Sequence, residues 1–179
     1  MHRRLLSTLA PLMGVVAFVA LASGHELFIK LDSFFLPPDT PIRLPILNGT
    51  FQVSENSITP DRVEDVSIVT GGRRRIIGTE GWEAGGDTTF LELRTQEPGT
   101  YVVSVSTLPR ELDLTAAEFN EYLEHDGIVD ALRERTEAGE LGTDVRERYS
   151  KHVKAVYQVG ENRTAGLDRV LGYPAELIP

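Results

Sequence analysis

Hydrophobic positions along this chain follow three different rhythms. They run almost without interruption from Leu5 to Ala22, fall into short alternating runs between Glu26 and Asp113, and recur at three- to four-residue spacing from Thr115 onward. Each rhythm predicts a different kind of structure.

The middle region reads as short β-strands. "ELFIKL" (26–31), "IRLPILN" (42–48), "RVEDVSIV" (62–69), "RRIIG" (74–78), "TFLEL" (89–93) and "TYVVSVS" (100–106) are rich in β-branched and aromatic residues. Between them lie "LPPDTP", "ITPD", "TGG", "EAGGD" and "QEPG", which supply the restricted and positive φ angles that turns require. In "TYVVSVS", Tyr101, Val103 and Val105 alternate with Val102, Ser104 and Ser106, so one face is buried more deeply. Pro45 lacks an amide proton for a sheet ladder and predicts an edge strand or a bulge. This spacing of strands and turns predicts an antiparallel sandwich.

At Thr115 the period changes. Thr115 and Glu118 form a capping-box pair, and Phe119, Tyr122 and Leu123 follow on one helical face that should cover the sheet. Gly127 breaks this helix, and a second piece carries Ile128, Val129 and Leu132 up to Gly139 and Gly142. A third helix is expected from Thr143 as N-cap, with Val145, Tyr149, His152, Val153 and Val156 as its apolar stripe and Glu147 and Lys151 paired in solvent. It should end near Lys154, where "KAVYQV" (154–159) returns to the sheet. The helical insertion therefore spans about 115–154.

The first region is different in kind. Arg3 and Arg4, an apolar run and then small residues have the order of a secretory signal peptide, with cleavage after Ala22 or after Gly24. Ser7, Thr8 and Pro11, and the lack of a following basic cluster, argue against a permanent membrane anchor. The chain thus divides into a signal peptide (1–24) and one exported domain (25–179), which places it in the periplasm or outside the cell. It contains no cysteine, so neither a lipid anchor nor a disulfide is available.

Removing Arg3 and Arg4 leaves 16 basic residues against 27 acidic ones, a net charge of −11. Nucleic acid is excluded as a partner on this ground, because its binding draws on a positive surface. Cations are the more natural small partners.

"HELFIK" after a signal, "EPGTYVVSVST" (97–107), "FNEYLEHDGI" (119–128), "RERYSKHVKAVYQVG" (146–160) and "LGYPAELIP" (171–179) together resemble an exported bacterial family of unassigned function. That family is often labelled the periplasmic component of cobalt or nickel transport. The resemblance implies a mainly β fold, an antiparallel Ig-like or carboxypeptidase-regulatory-like sandwich with an α-helical insertion. It also implies a histidine at or beside the mature amino terminus, here His25, and a membrane metal transporter as partner. A second β domain usually follows the "LGYPAELIP" type of segment in that family, so the end of this sequence at Pro179 reads either as a truncation or as a short variant.

His25 is accordingly the first candidate metal ligand. Cleavage after Ala22 would place an amine, two backbone nitrogens and the His25 imidazole in succession, a square-planar set suited to Cu(II) or Ni(II). Cleavage after Gly24 would leave the His25 amine and ring nitrogen to be completed by His125 or His152, the other two candidate ligands. The alternatives are that His25 caps a sheet edge, His125 in "LEHDG" interacts with a helix C-terminus, and His152 is a half-buried histidine on an apolar stripe. No catalytic motif is present: there is no G-x-S-x-G, no H-E-x-x-H and no phosphate-binding glycine loop. Acidic pairs such as Glu124 with Asp126 read as solvated helix faces.

Two further features bear on partners. "GGRRRIIG" (71–78) is the single basic cluster and reads as a hairpin turn or as a contact for an acidic surface. Trp82, the only tryptophan, either packs over the end of the sandwich or stacks on a sugar. The expected function is a non-catalytic exported protein binding Ni, Co or Cu at its amino terminus. The alternative is a metal-independent envelope module that recognises a protein or glycan.

Overall fold

The structure, a computed structural model, describes residues 26–178. The signal segment, both cleavage positions and His25 lie outside the described residues. Among those described, no helix is long and apolar enough to cross a membrane.

The fold is mainly β, with two open sheets facing each other in a sandwich-like arrangement. One sheet contains β1 (Glu26–Ile29), β3 (Pro41–Gly49), β6 (Trp82–Gly85) and β7 (Thr88–Arg94) in the order β1-β3-β7-β6. The other contains β2 (Phe35–Leu36), β4 (Val63–Thr70), β5 (Arg73–Ile76), β8 (Gly99–Thr107) and β11 (His152–Val159) in the order β2-β11-β8-β4-β5. Pairing is antiparallel throughout, apart from the short parallel contact of β2 with β11.

Alternation along the strands builds the core between the sheets. Leu27, Ile29, Leu44, Ile46 and Leu91 come from the first sheet, and Val66, Ile68, Tyr101, Val103, Val105, Tyr157 and Val159 from the second, all in one buried cluster. Burying such side chains contributes about 1.5–3 kcal/mol each, which offsets the ordering of a chain without cross-links. The other face of the second sheet carries polar residues. Asp65, Ser67, Ser104 and Ser106 are all buried there, because residues 167–177 lie across them and pack Leu171 on Val69 and Val102.

Between β8 and β11 the chain leaves the sheets as an arm. A two-stranded ribbon, β9 (Arg110–Leu114) with β10 (Val145–Tyr149), carries α1 (Ala116–His125) and α2 (Val129–Ala138). Thr115 and Glu118 cap α1 reciprocally as the capping-box pattern predicts, and Asp144 accepts from the Ala116 amide at 2.9 Å. Leu123 is 2 % exposed, while Phe119 and Tyr122 are half-buried. The main neighbours of α1 are α2 and β9.

Three expectations are corrected. No third helix forms: the segment from Val145 is strand β10, and His152 opens strand β11. Val145, Glu147 and Tyr149 are half-buried while Arg146 and Arg148 are exposed, a period of two that helical spacing had masked. Pro45 is neither at an edge strand nor in a bulge, since β3 pairs on both sides. Its carbonyl accepts from Lys30 just past the end of β1, and amide and carbonyl of one antiparallel residue point the same way, so its missing donor faces the rung where β1 stops. Finally, helix covers only 116–125 and 129–138 of the expected 115–154.

Candidate functional site

The arm and the sandwich enclose a cleft of about 770 Å³. Its sandwich wall is made by Glu26 at the start of β1, Asn48 near the end of β3, and residues 56–59 ahead of β4. Trp82 holds that wall in place. Its ring is buried, its Nε1–H donates to the Ile58 carbonyl at 2.7 Å, and the Ile58 amide donates to Thr89 Oγ1 at 2.7 Å. This answers the tryptophan question in favour of packing.

The opposite wall is one face of the ribbon together with α1. Arg110 pairs with Tyr149, Leu112 with Glu147 and Leu114 with Val145. Directly opposed residues share a face, and Arg110, Leu112, Leu114, Glu147 and Tyr149 all line the cleft. The other face carries Asp113 and Arg146, which form a two-bond ion pair at 2.6 and 3.1 Å. Tyr122 of α1 and its C-cap Asp126 also line the cleft.

Charges of both signs line this space. Burial raises the pKa of the Tyr122 hydroxyl, and the nearby Glu147, Asp126 and Glu26 carboxylates raise it further. Burial lowers that of Lys151, which Glu26 opposes and Arg62 reinforces. Lys151 Nζ donates to Asn48 Oδ1 at 2.6 Å. Among the described residues the Arg62 and Arg110 guanidiniums and the Glu26 and Glu147 carboxylates have no hydrogen bond or ion pair. A smaller depression of about 480 Å³ lies along Pro41–Arg43 and Glu92–Arg94, but its arginines are already engaged: Arg43 with Glu83 and Glu92, Arg94 with Asp39.

Of the three candidate metal ligands, two are among the described residues. His25 lies outside the described residues, and Glu26, which follows it, lines the cleft. His125 is exposed at the end of α1, with Nδ1 2.9 Å from Asp126 Oδ1. That carboxylate also lines the cleft and is placed to orient the ring. His152 is committed elsewhere: Nδ1 meets Ser106 Oγ at 3.0 Å, Nε2 meets Ser150 Oγ at 2.9 Å, and Tyr173 stacks on the ring. Among the described residues no three His, Asp or Glu side chains are grouped to hold an ion.

Sequence reasoning missed Arg62, Arg110, Tyr122, Glu147 and Lys151 as members of one site. The alternation "VRERY" (145–149) was the available signal, since a strand there puts Glu147 and Tyr149 on a common face. The basic cluster is a hairpin, as one of its two readings had it: β4 and β5 pair across Gly71 and Gly72. Arg74 turns from it onto the polar face, 2.8 Å from Asp65.

Compared with protein-family models, curated proteins and solved structures, the chain has no significant match. What fold and cleft define is a class: a mainly β protein with open antiparallel sheets and a projecting ribbon-and-helix arm.

Proposed function

We propose that this is an exported, non-catalytic protein that binds a divalent transition metal, Ni, Co or Cu, at its mature amino terminus and serves a membrane metal transporter. The observation that carries the reading is the shared cleft: Glu26, which follows His25, and Asp126, which holds His125, line the same space together with Glu147. The donors suit borderline metals, with imidazole and amine nitrogens from His25, imidazole from His125 and carboxylate oxygen nearby. His152 takes a structural role in this reading, since both its ring nitrogens face hydroxyls.

The test has two parts. Intact mass of the exported protein fixes where the mature chain begins. Titration of that species with Ni(II) and Cu(II) should then show tight binding that His25→Ala abolishes, that His125→Ala weakens and that His152→Ala leaves unchanged. Equal affinity of the parent and His25→Ala proteins overturns the proposal.

A metal-independent envelope module is the second reading, favoured by Arg62 and Arg110 in the cleft, whose guanidiniums have no partner among the described residues. The sandwich itself we assign to the Ig-like group. Support comes from Tyr101, whose hydroxyl donates to the Glu97 carbonyl at 2.6 Å, a contact akin to the tyrosine corner of Greek-key sandwiches.

A further inference from the structure

We propose that the cleft between arm and sandwich receives a short peptide with free amino and carboxyl ends, two or three residues long, lying along the ribbon. Along the ribbon the charges are ordered, Arg110 before Glu147, while Glu26 on the sandwich wall lies close enough to act on both Lys151 and Tyr122. At the base of the ribbon Arg110 faces it, joined by Arg62 and by Lys151 from the turn into β11. Farther out, Glu147 projects from the next inward-facing rung, and Asp126 closes the α1 side. Leu112 and Leu114 lie on the same ribbon face and give an apolar floor.

Each end of such a peptide finds the opposite charge. The carboxylate would accept from guanidiniums that have no partner within the described protein, an arrangement suited to bidentate hydrogen bonds. The ammonium would sit among carboxylates, beside the Tyr122 hydroxyl. A polyanion would meet Glu26, Asp126 and Glu147, and a polycation would meet Arg62 and Arg110. The mixed lining therefore selects against both.

Spacing sets the length. Arg110 and the rung of Glu147 are two residues apart, about 7 Å at roughly 3.4 Å per residue. An extended chain covers at most about 3.3–3.6 Å per residue, so the ends of a di- or tripeptide lie about 7–10 Å apart. A single amino acid is too short to reach both charged ends. The volume of about 770 Å³ is within the usual range for small-ligand pockets, about 300–1,000 Å³.

The inference uses no metal, so its failure and that of the metal proposal can be told apart. Calorimetric titration of the exported chain in excess EDTA, with Ala-Leu-Ala as the probe, is the direct test. Binding should weaken about tenfold or more when the peptide is N-acetylated or C-amidated, and by a similar factor in Arg110→Gln and Glu147→Gln. N-acetylation should cost little further in Glu147→Gln, because both changes remove the same contact. Arg146→Gln, on the far face of the ribbon, should bind as the parent does. Circular dichroism checks that each variant is folded. No binding of Ala-Leu-Ala at millimolar concentration, or equal binding of the free and doubly blocked peptides, overturns the proposal.

Discussion

Tyr173 stacks on the His152 imidazole, with centroids 5.4 Å apart and planes 20° from parallel, while its hydroxyl donates to the Asp65 carboxylate. One side chain from the C-terminal segment thus closes the polar face of the second sheet over β4 and β11. Asp65 also receives Arg74 at 2.8 Å and the Ser67 hydroxyl at 2.8 Å. Among the described residues no buried side-chain polar atom is left without a partner, so this buried network avoids the large penalty of an unmet charge.

Removing one partner should expose how unequal these bonds are. Arg74→Met leaves the Asp65 carboxylate buried without its cation and should lower stability by about 3–5 kcal/mol. Tyr173→Phe keeps the ion pair and should cost about 1–2 kcal/mol. Urea unfolding of both variants checks the order, and a larger loss in Tyr173→Phe would contradict it.

Acid should weaken the anchoring of the C-terminal segment. Glu176 accepts from Lys154 Nζ at 2.6 Å and from the Leu171 and Gly172 amides. The Lys154 hydrogen bond is the main reason its pKa falls from 4.5 to about 2. A carboxyl with a depressed pKa stabilises the fold fully above its unfolded value and loses that contribution as pH drops through the folded one. The loss should therefore fall between pH 4.5 and about 2. Urea midpoints measured at pH 6 and pH 3 should move farther apart in the parent than in Glu176→Gln.

Two glycines with similar φ should respond differently to alanine. Gly81 (φ +78) would place a Cβ 2.3 Å from the Glu92 carbonyl oxygen, whereas Gly86 (φ +65) has open space around it. Gly86→Ala should cost about 1–2 kcal/mol, the conformational penalty alone. Gly81→Ala adds a backbone clash where β6 joins β7 and should cost clearly more, by differential scanning calorimetry.

Metal affinity, on the proposed reading, should fall steeply in acid. An α-amine of pKa about 8 and an imidazole of about 6.5 must lose protons before binding. Ni(II) titrations of the exported protein at pH 8 and pH 5.5 should differ by more than tenfold. Similar affinities at the two pH values would exclude an amine ligand.

β1, β3, β4, β5, β7 and β8 were legible as runs rich in β-branched and aromatic residues bounded by turn signals, whereas β11 was read as strand only from Lys154 onward. β2 and β6 were not, because β2 has only two residues and β6 (Trp82–Gly85) is set among glycines and carries no alternation of β-branched residues. The capping box of α1 was readable because it is satisfied within four neighbouring residues. β10 was misread as helix because Val145, Tyr149 and His152 also fit helical spacing, and only pairing with β9 decides between the two periods.

By itself the sequence determined what is local: a mainly β chain, its turns, two of the three helices it suggested and a change of period at Thr115. Tertiary structure decided what each side chain meets. It engaged both nitrogens of His152 with hydroxyls and brought Arg62, Arg110, Lys151 and Glu147 around one cleft. The physical reason is that strand pairing and the path of the arm join residues 26 to 151, and no local propensity encodes contacts across that separation.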